Sequence, residues 1–197
     1  MKKIIGILIL AVLLVSFTNQ DLKGYITLFE DASSAKYYKY GDSHYFESFD
    51  NDKETIGDKE YYVRYRKYGW GTVDTTYYRK GSENYYHINK KTLEESIILP
   101  VNPKVGDQWL EHDKSWSYEV IADQQKFKTP AKKYKNCIKV RCTQLTNKDK
   151  RKNKEYLLYY SPIYGYVGNV DGKGKILSYL SDLKLNAKEG EVIGDFK

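Results

Sequence analysis

The sequence predicts an all-β domain: a single strongly curved antiparallel sheet of about ten to twelve strands, half-open or closed into a barrel. A two-sheet β-sandwich is the alternative. Three observations point there. Apolar and polar residues alternate with period two through most of the chain, and no long window carries a helical stripe. Alanine, the best helix former, is scarce. Hydrophobic residues make up 41% of 197 positions, but Tyr supplies 21 of them, so tyrosine rings must serve as core material with their hydroxyls at its margin.

The first element is a leader. Lys2 and Lys3 precede an apolar run from Ile4 to Val15, followed by the polar stretch Ser16 to Gln20. Twelve helical residues span about 18 Å, too short for roughly 30 Å of hydrocarbon. Residues 1–20 therefore read as a signal peptide with an N-terminal signal helix, cleaved or kept as an anchor. Either outcome exports the body to the periplasm or beyond, and no lipobox Cys follows the run, so the chain is not a lipoprotein by sequence. Residues 21–185 form one antiparallel β domain, and 186–197, which lack alternation, form a flexible tail.

Within the domain, alternation is clearest at 60–66, 115–121 and 133–142. In the first of these Tyr61, Val63 and Tyr65 oppose Glu60, Arg64 and Arg66, and in the last Ile138, Val140 and Cys142 oppose Lys139 and Arg141. Weaker runs cover 25–29, 36–40, 43–49, 72–79, 83–89, 93–99, 155–160, 164–170 and 175–185. Turn chemistry separates them at Tyr68-Gly69-Trp70-Gly71, Lys80-Gly81-Ser82 and Asp171-Gly172-Lys173-Gly174, while 147–154 makes a charged hairpin tip between 133–142 and 155–160. Five tyrosine doublets (37–38, 61–62, 77–78, 85–86 and 159–160) should each send one ring to either side of the sheet.

The two cysteines, Cys137 and Cys142, are five residues apart. That offset spans about 17 Å of strand and puts the thiols on opposite faces, whereas a disulfide needs Cα atoms within about 7 Å. No bridge is expected. Cys142 falls on the apolar face as an inert core thiol, and Cys137 on the lysine face, where basic neighbours would lower its pKa.

Motifs for catalysis are missing. His44, His87 and His112 have no metal-ligand spacing, and neither a nucleophile elbow nor a phosphate loop is present. The cluster Glu111-His112-Asp113 reads as a polar loop. No catalytic residue, metal ligand or cofactor is assigned, and the ligand-binding residues stay unnamed. Charge is more informative. Between 126 and 154 lie twelve Lys or Arg and one acid, a local +11, against +7 for the whole chain. Lys135, Lys139, Arg141, Lys148, Lys150, Arg151, Lys152 and Lys154 are the candidates for contact with an anionic partner or surface. A solvated face that blunts edge pairing explains the same charges.

Several segments carry a resemblance. Ile98-Leu99-Pro100 leads to Val105-Gly106-Asp107-Gln108-Trp109, then Thr129-Pro130-Ala131, Tyr134-Lys135-Asn136-Cys137-Ile138-Lys139-Val140, and Tyr159-Tyr160-Ser161-Pro162-Ile163-Tyr164-Gly165-Tyr166-Val167. This order resembles a widespread, uncharacterised group of bacterial secreted proteins and lipoproteins, related in turn to the half-barrel domains of periplasmic lipoprotein carriers. Two departures stand out: Lys132 replaces the usual Gly after Pro-Ala, and the lipobox Cys is missing. The resemblance implies a half-open sheet and says nearly nothing of activity.

The expected function is an exported, non-catalytic binding or carrier domain for an apolar or amphipathic ligand or envelope component. The alternative is an envelope accessory protein working through its basic patch on an acidic partner or anionic surface, and a hydrolase with a carboxylate site ranks third. Expected partners are a lipid, a glycan or an envelope protein, with membrane-surface contact but no nucleic acid.

Overall fold

The computed structural model of the chain describes residues 35–146 and 154–184. These fold into twelve strands: β1 (Ala35–Tyr40), β2 (Ser43–Ile56), β3 (Lys59–Tyr68), β4 (Val73–Lys80), β5 (Asn84–Asn89), β6 (Glu94–Pro100), β7 (Gln108–Leu110), β8 (Trp116–Lys128), β9 (Lys133–Gln144), β10 (Glu155–Ser161), β11 (Gly165–Asp171) and β12 (Ile176–Lys184). The described residues contain no helix. The signal helix expected in 1–20, the run 25–29 and the tail 186–197 lie outside them, as does most of the basic hairpin tip.

All twelve strands join one antiparallel sheet in the order β6-β5-β4-β3-β2-β1-β12-β11-β10-β9-β8-β7. The single curved sheet is therefore the architecture, nearly closed into a barrel, and the sandwich alternative falls away. The meander runs up and down, and β1 closes it onto β12. The remaining gap lies between β6 and the three-residue β7. It is bridged by side chains: the His112 amide donates to Ser96 Oγ (3.0 Å), and His112 Nδ1 lies 3.4 Å from Glu94.

Register fixes which residues face inward. Cross-strand partners share a face, so Tyr38 with Tyr45 and Tyr68 (β1, β2, β3) form one row. Lys36, Glu47 and Arg66 form the next, and Phe49, Arg64 and Thr76 the one after. That face is the interior. Phe49, Tyr78, Tyr85 and Leu99 from β2 and β4–β6 pack there in one cluster with Trp109, Val120, Ile138, Val140 and Tyr160 from β7–β10. The tyrosine doublets split as expected. Tyr62 and Tyr78 pack on this core, while Tyr61 and Tyr77 join Ile56 and Ile88 on the other side of the sheet.

On β3 the parity that carries the arginines faces inward. Tyr61 and Val63 are buried on the outer face and Tyr65 is exposed, whereas Arg64 and Arg66 point into the barrel. Alternation was the right pattern, but a buried carboxylate on the neighbouring strand, Glu47, makes the arginines the inward set.

One expectation needs correction, that for Cys137. Asn136 adopts a left-handed conformation (φ 55°), and the pairing jumps from Phe127–Tyr134 to Gln125–Cys137. This bulge bends the β8–β9 hairpin so that Phe127 stacks on Tyr159 (ring centroids 4.3 Å). Cys137 is enclosed with Phe127, Tyr134 and Val167 rather than standing among lysines. Burial pushes its thiol up to about 11, the reverse of the expected direction. Cys142 is buried on the inner face and pushed up to about 12, by burial first and Glu111 second, and both thiols are free. The turn at 129–132 is closed by Thr129 and the backbone of residue 132: Lys132 N donates to Thr129 Oγ1 (3.0 Å), and the Thr129 amide and hydroxyl donate back to Lys132 O.

Candidate functional site

An ion cluster forms the inner wall. Glu47 is 3% exposed, and its Oε2 accepts from Arg64 Nη1 (3.1 Å), Arg66 Nη2 (2.8 Å) and Arg66 Nε (3.2 Å). Burial alone would push the Glu47 carboxyl up, but Arg64 and Arg66 outweigh it and hold the group below the ordinary carboxylate range. The same balance keeps Arg66 charged: burial opposes its charge, and Glu47 more than restores it. Arg64 also donates to Thr76 Oγ1 (2.8 Å), while its Nε–H is buried without an acceptor among the described residues. Lys36 is buried beside the cluster and donates to the Tyr164 carbonyl (3.0 Å).

The cluster opens onto a cavity of about 360 Å³ at one mouth of the barrel, lined by Tyr40, Tyr45, Arg66, Tyr68, Trp70, Tyr166, Asn169 and Ser178. Each wall has a local cause. Tyr40 ends β1 just before Gly41, whose φ of 55° makes the turn into β2. Trp70 sits on the β3–β4 tip between two glycines. Gly69 is required because a Cβ there would stand 2.7 Å from the His44 ring, and Gly71 takes φ 92°. Backbone bonds from Tyr68 N to Thr72 O and from Gly71 N to Tyr68 O, both 2.9 Å, hold the tip. Trp70 consequently stacks on Tyr68 (4.5 Å, 18°) while remaining 57% exposed. Arg66 lies over the Tyr45 ring at 4.5 Å, and Tyr45 stacks on Tyr38 at 4.8 Å. On the facing wall Tyr166 OH and Ser178 Oγ lie 3.0 Å apart, and Ser178 Oγ reaches Asn169 Oδ1 at 2.8 Å. Burial pushes the Tyr166 phenol up to about 12, so it stays a neutral hydrogen-bonding group.

Sequence reading named none of these residues as a site. One signal was present: Glu47, Arg64 and Arg66 recur at the same spacing as the apolar Tyr45, Phe49 and Tyr62 that share their face. A charged residue at an inward parity needs an inward partner. The residues the sequence did single out fall elsewhere. Lys139 and Arg141 share a face of β9, but the Asn136 bulge interrupts the alternation before Lys135. Arg141 pairs with Glu119 (3.0 Å) and approaches Glu155 (3.9 Å), and Lys139 lies 5.8 Å from the Tyr159 ring centroid. Lys135 and Lys154 are exposed, and Lys148, Lys150, Arg151 and Lys152 lie outside the described residues.

The cluster Glu111-His112-Asp113 serves the seam. Glu111 lies 3.7 Å from His87, His112 meets Glu94, and Asp113 Oδ1 accepts from the Ser115 amide (2.9 Å). Burial, and then Arg64, push His87 below its ordinary value, so it is neutral near pH 7 and its contact with Glu111 is no ion pair. Among the described residues no group of three His, Cys, Asp or Glu could hold a metal ion. Compared with family models, curated proteins and solved structures, the chain gives no match.

Proposed function

We propose that the protein is an exported, non-catalytic binding protein whose barrel mouth takes a sugar ring of a glycan. The observation that supports this most is Trp70: a glycine-flanked tryptophan stacked on Tyr68, still over half exposed, at the rim of a cavity of small-ligand size. Aromatic faces suit the apolar C–H face of a sugar, and the Tyr166, Ser178 and Asn169 side chains supply the hydroxyl and amide partners its oxygens need. The barrel interior behind the mouth is occupied by Tyr38, Phe49, Tyr78 and Tyr160, so the polar mouth is a better seat than the core. The ligand of this reading is accordingly polar rather than apolar.

The experiment is a glycan array probed with purified protein, followed by calorimetric titration of the oligosaccharides retained. Retention of a defined subset by the parent, and its loss in Trp70→Ala, is the expected result. Failure to retain any glycan, or retention unchanged by Trp70→Ala, overturns the proposal.

A further inference from the structure

Resting on the reading of the mouth as a glycan site, we infer that the bound glycan carries an acidic group, a carboxylate, sulfate or phosphate, seated against Arg66. Among the described residues, the lining of the cavity contains one ionised side chain, Arg66, and no carboxylate. Behind that lining Glu47 is already committed, its Oε2 accepting three bonds from Arg64 and Arg66. Asp74, half exposed, lies 3.8 Å from Arg64. Arg64 has a buried N–H with no acceptor among the described residues. A guanidinium at a partly desolvated wall gains a strong, charge-assisted contact when an oxyanion joins it.

Arg66 is also prepared for the task. Glu47 fixes its Nε and Nη2 edge and Tyr45 supports its plane, while the rest of the planar fork borders Tyr68 and the cavity. A guanidinium held in one orientation binds an oxyanion with little ordering cost, and the aromatic walls strengthen the attraction by excluding water. An acidic sugar would therefore gain an ionic contact at the mouth that its neutral counterpart lacks.

The test uses matched oligosaccharides on the parent protein: a neutral chain, the same chain with uronic acid units, and the same chain sulfated. At least tenfold tighter binding of the acidic members is expected. Arg66→Gln should remove that preference. Asn169→Asp leaves Arg66 in place but adds a carboxylate to the lining, and should abolish the preference even if Arg66→Gln fails to fold. Lys135→Gln with Lys139→Gln should leave it intact, which separates the mouth from general surface charge. Equal affinity for neutral and acidic members overturns the inference while the glycan reading stands. A preference that survives in folded Arg66→Gln and in Asn169→Asp also overturns it. Binding to none of the three removes both.

Discussion

Replacing Glu95 with Gln tests whether the outer face of the sheet is held by one over-committed carboxylate. Arg79 donates to it side-on through Nε (2.5 Å) and Nη2 (2.6 Å), Tyr61 OH lies at 2.6 Å and Lys59 Nζ at 3.0 Å. The Arg79 bonds, working against burial and helped by Tyr61 and Lys59, bring the Glu95 carboxyl down to about 2. Against an ordinary glutamate this difference corresponds to about 3 kcal/mol of stability at neutral pH. That figure is a ceiling, because the side chain keeps 16% of its exposure and some screening with it. A carboxyl depressed in the folded state contributes in full above its unfolded value and loses the contribution as pH falls through the folded one. Urea unfolding of parent and Glu95→Gln should therefore differ by about 2–3 kcal/mol at pH 7, with the gap shrinking to below about 1 kcal/mol near pH 2. A gap that does not change with pH, or one already below about 1 kcal/mol at pH 7, would refute the reasoning.

Three other outcomes follow from the packing. Trp70→Ala should shift unfolding by no more than about 0.5 kcal/mol while ending glycan retention, since the ring is mostly in water. Gly168→Ala should cost about 2–3 kcal/mol by denaturant titration: its φ is 146°, and a Cβ would stand 2.4 Å from Ser178 O and 2.9 Å from the Phe127 ring. Both thiols should resist an aromatic disulfide reagent in the native protein and react fully in urea, because each is buried and held above its ordinary pKa. Rapid labelling of native Cys137 would show that the Phe127 arm does not cover it.

Period-two alternation and turn residues located most of the strands because both signals are local. Tyr134 to Cys142 reads as a strand from its own composition, and it pairs with β10 as its neighbourhood suggests. Which face turns inward is not local. On β3 two arginines and three apolar residues occupy opposite parities, and only Glu47, contributed by β2, decides that the arginines go in. The bulge at Asn136 has a local mark, since Asn136 breaks the alternation and asparagine tolerates the left-handed conformation, but its consequence is not local: it shifts Cys137 under a ring from β8. The mouth drew residues from β1, β2, β3, β11 and β12 and the β3–β4 tip, so no spacing along the chain could display it. Trp70 was visible as part of a turn, and what the sequence lacked was the Tyr68 ring stacked against it.

The strand order divides the chain into two six-stranded meanders, β1–β6 and β7–β12. They meet along the single long-range pairing of β1 with β12, where Ala35 lies opposite Lys184. Every other ladder joins neighbours in sequence, so nearly all the entropy of closing large loops falls on that one zipper and the shared interior cluster. The connection 101–107 contributes no ladder of its own, and β6 and β7 are not hydrogen-bonded as strands. A peptide bond cut there leaves all the pairings in place. The nicked protein should remain assembled, and the two fragments, synthesised separately, should find each other through β1, β12 and the aromatic interior. The molecule thus behaves as a dimer of unlike halves that happen to share a chain.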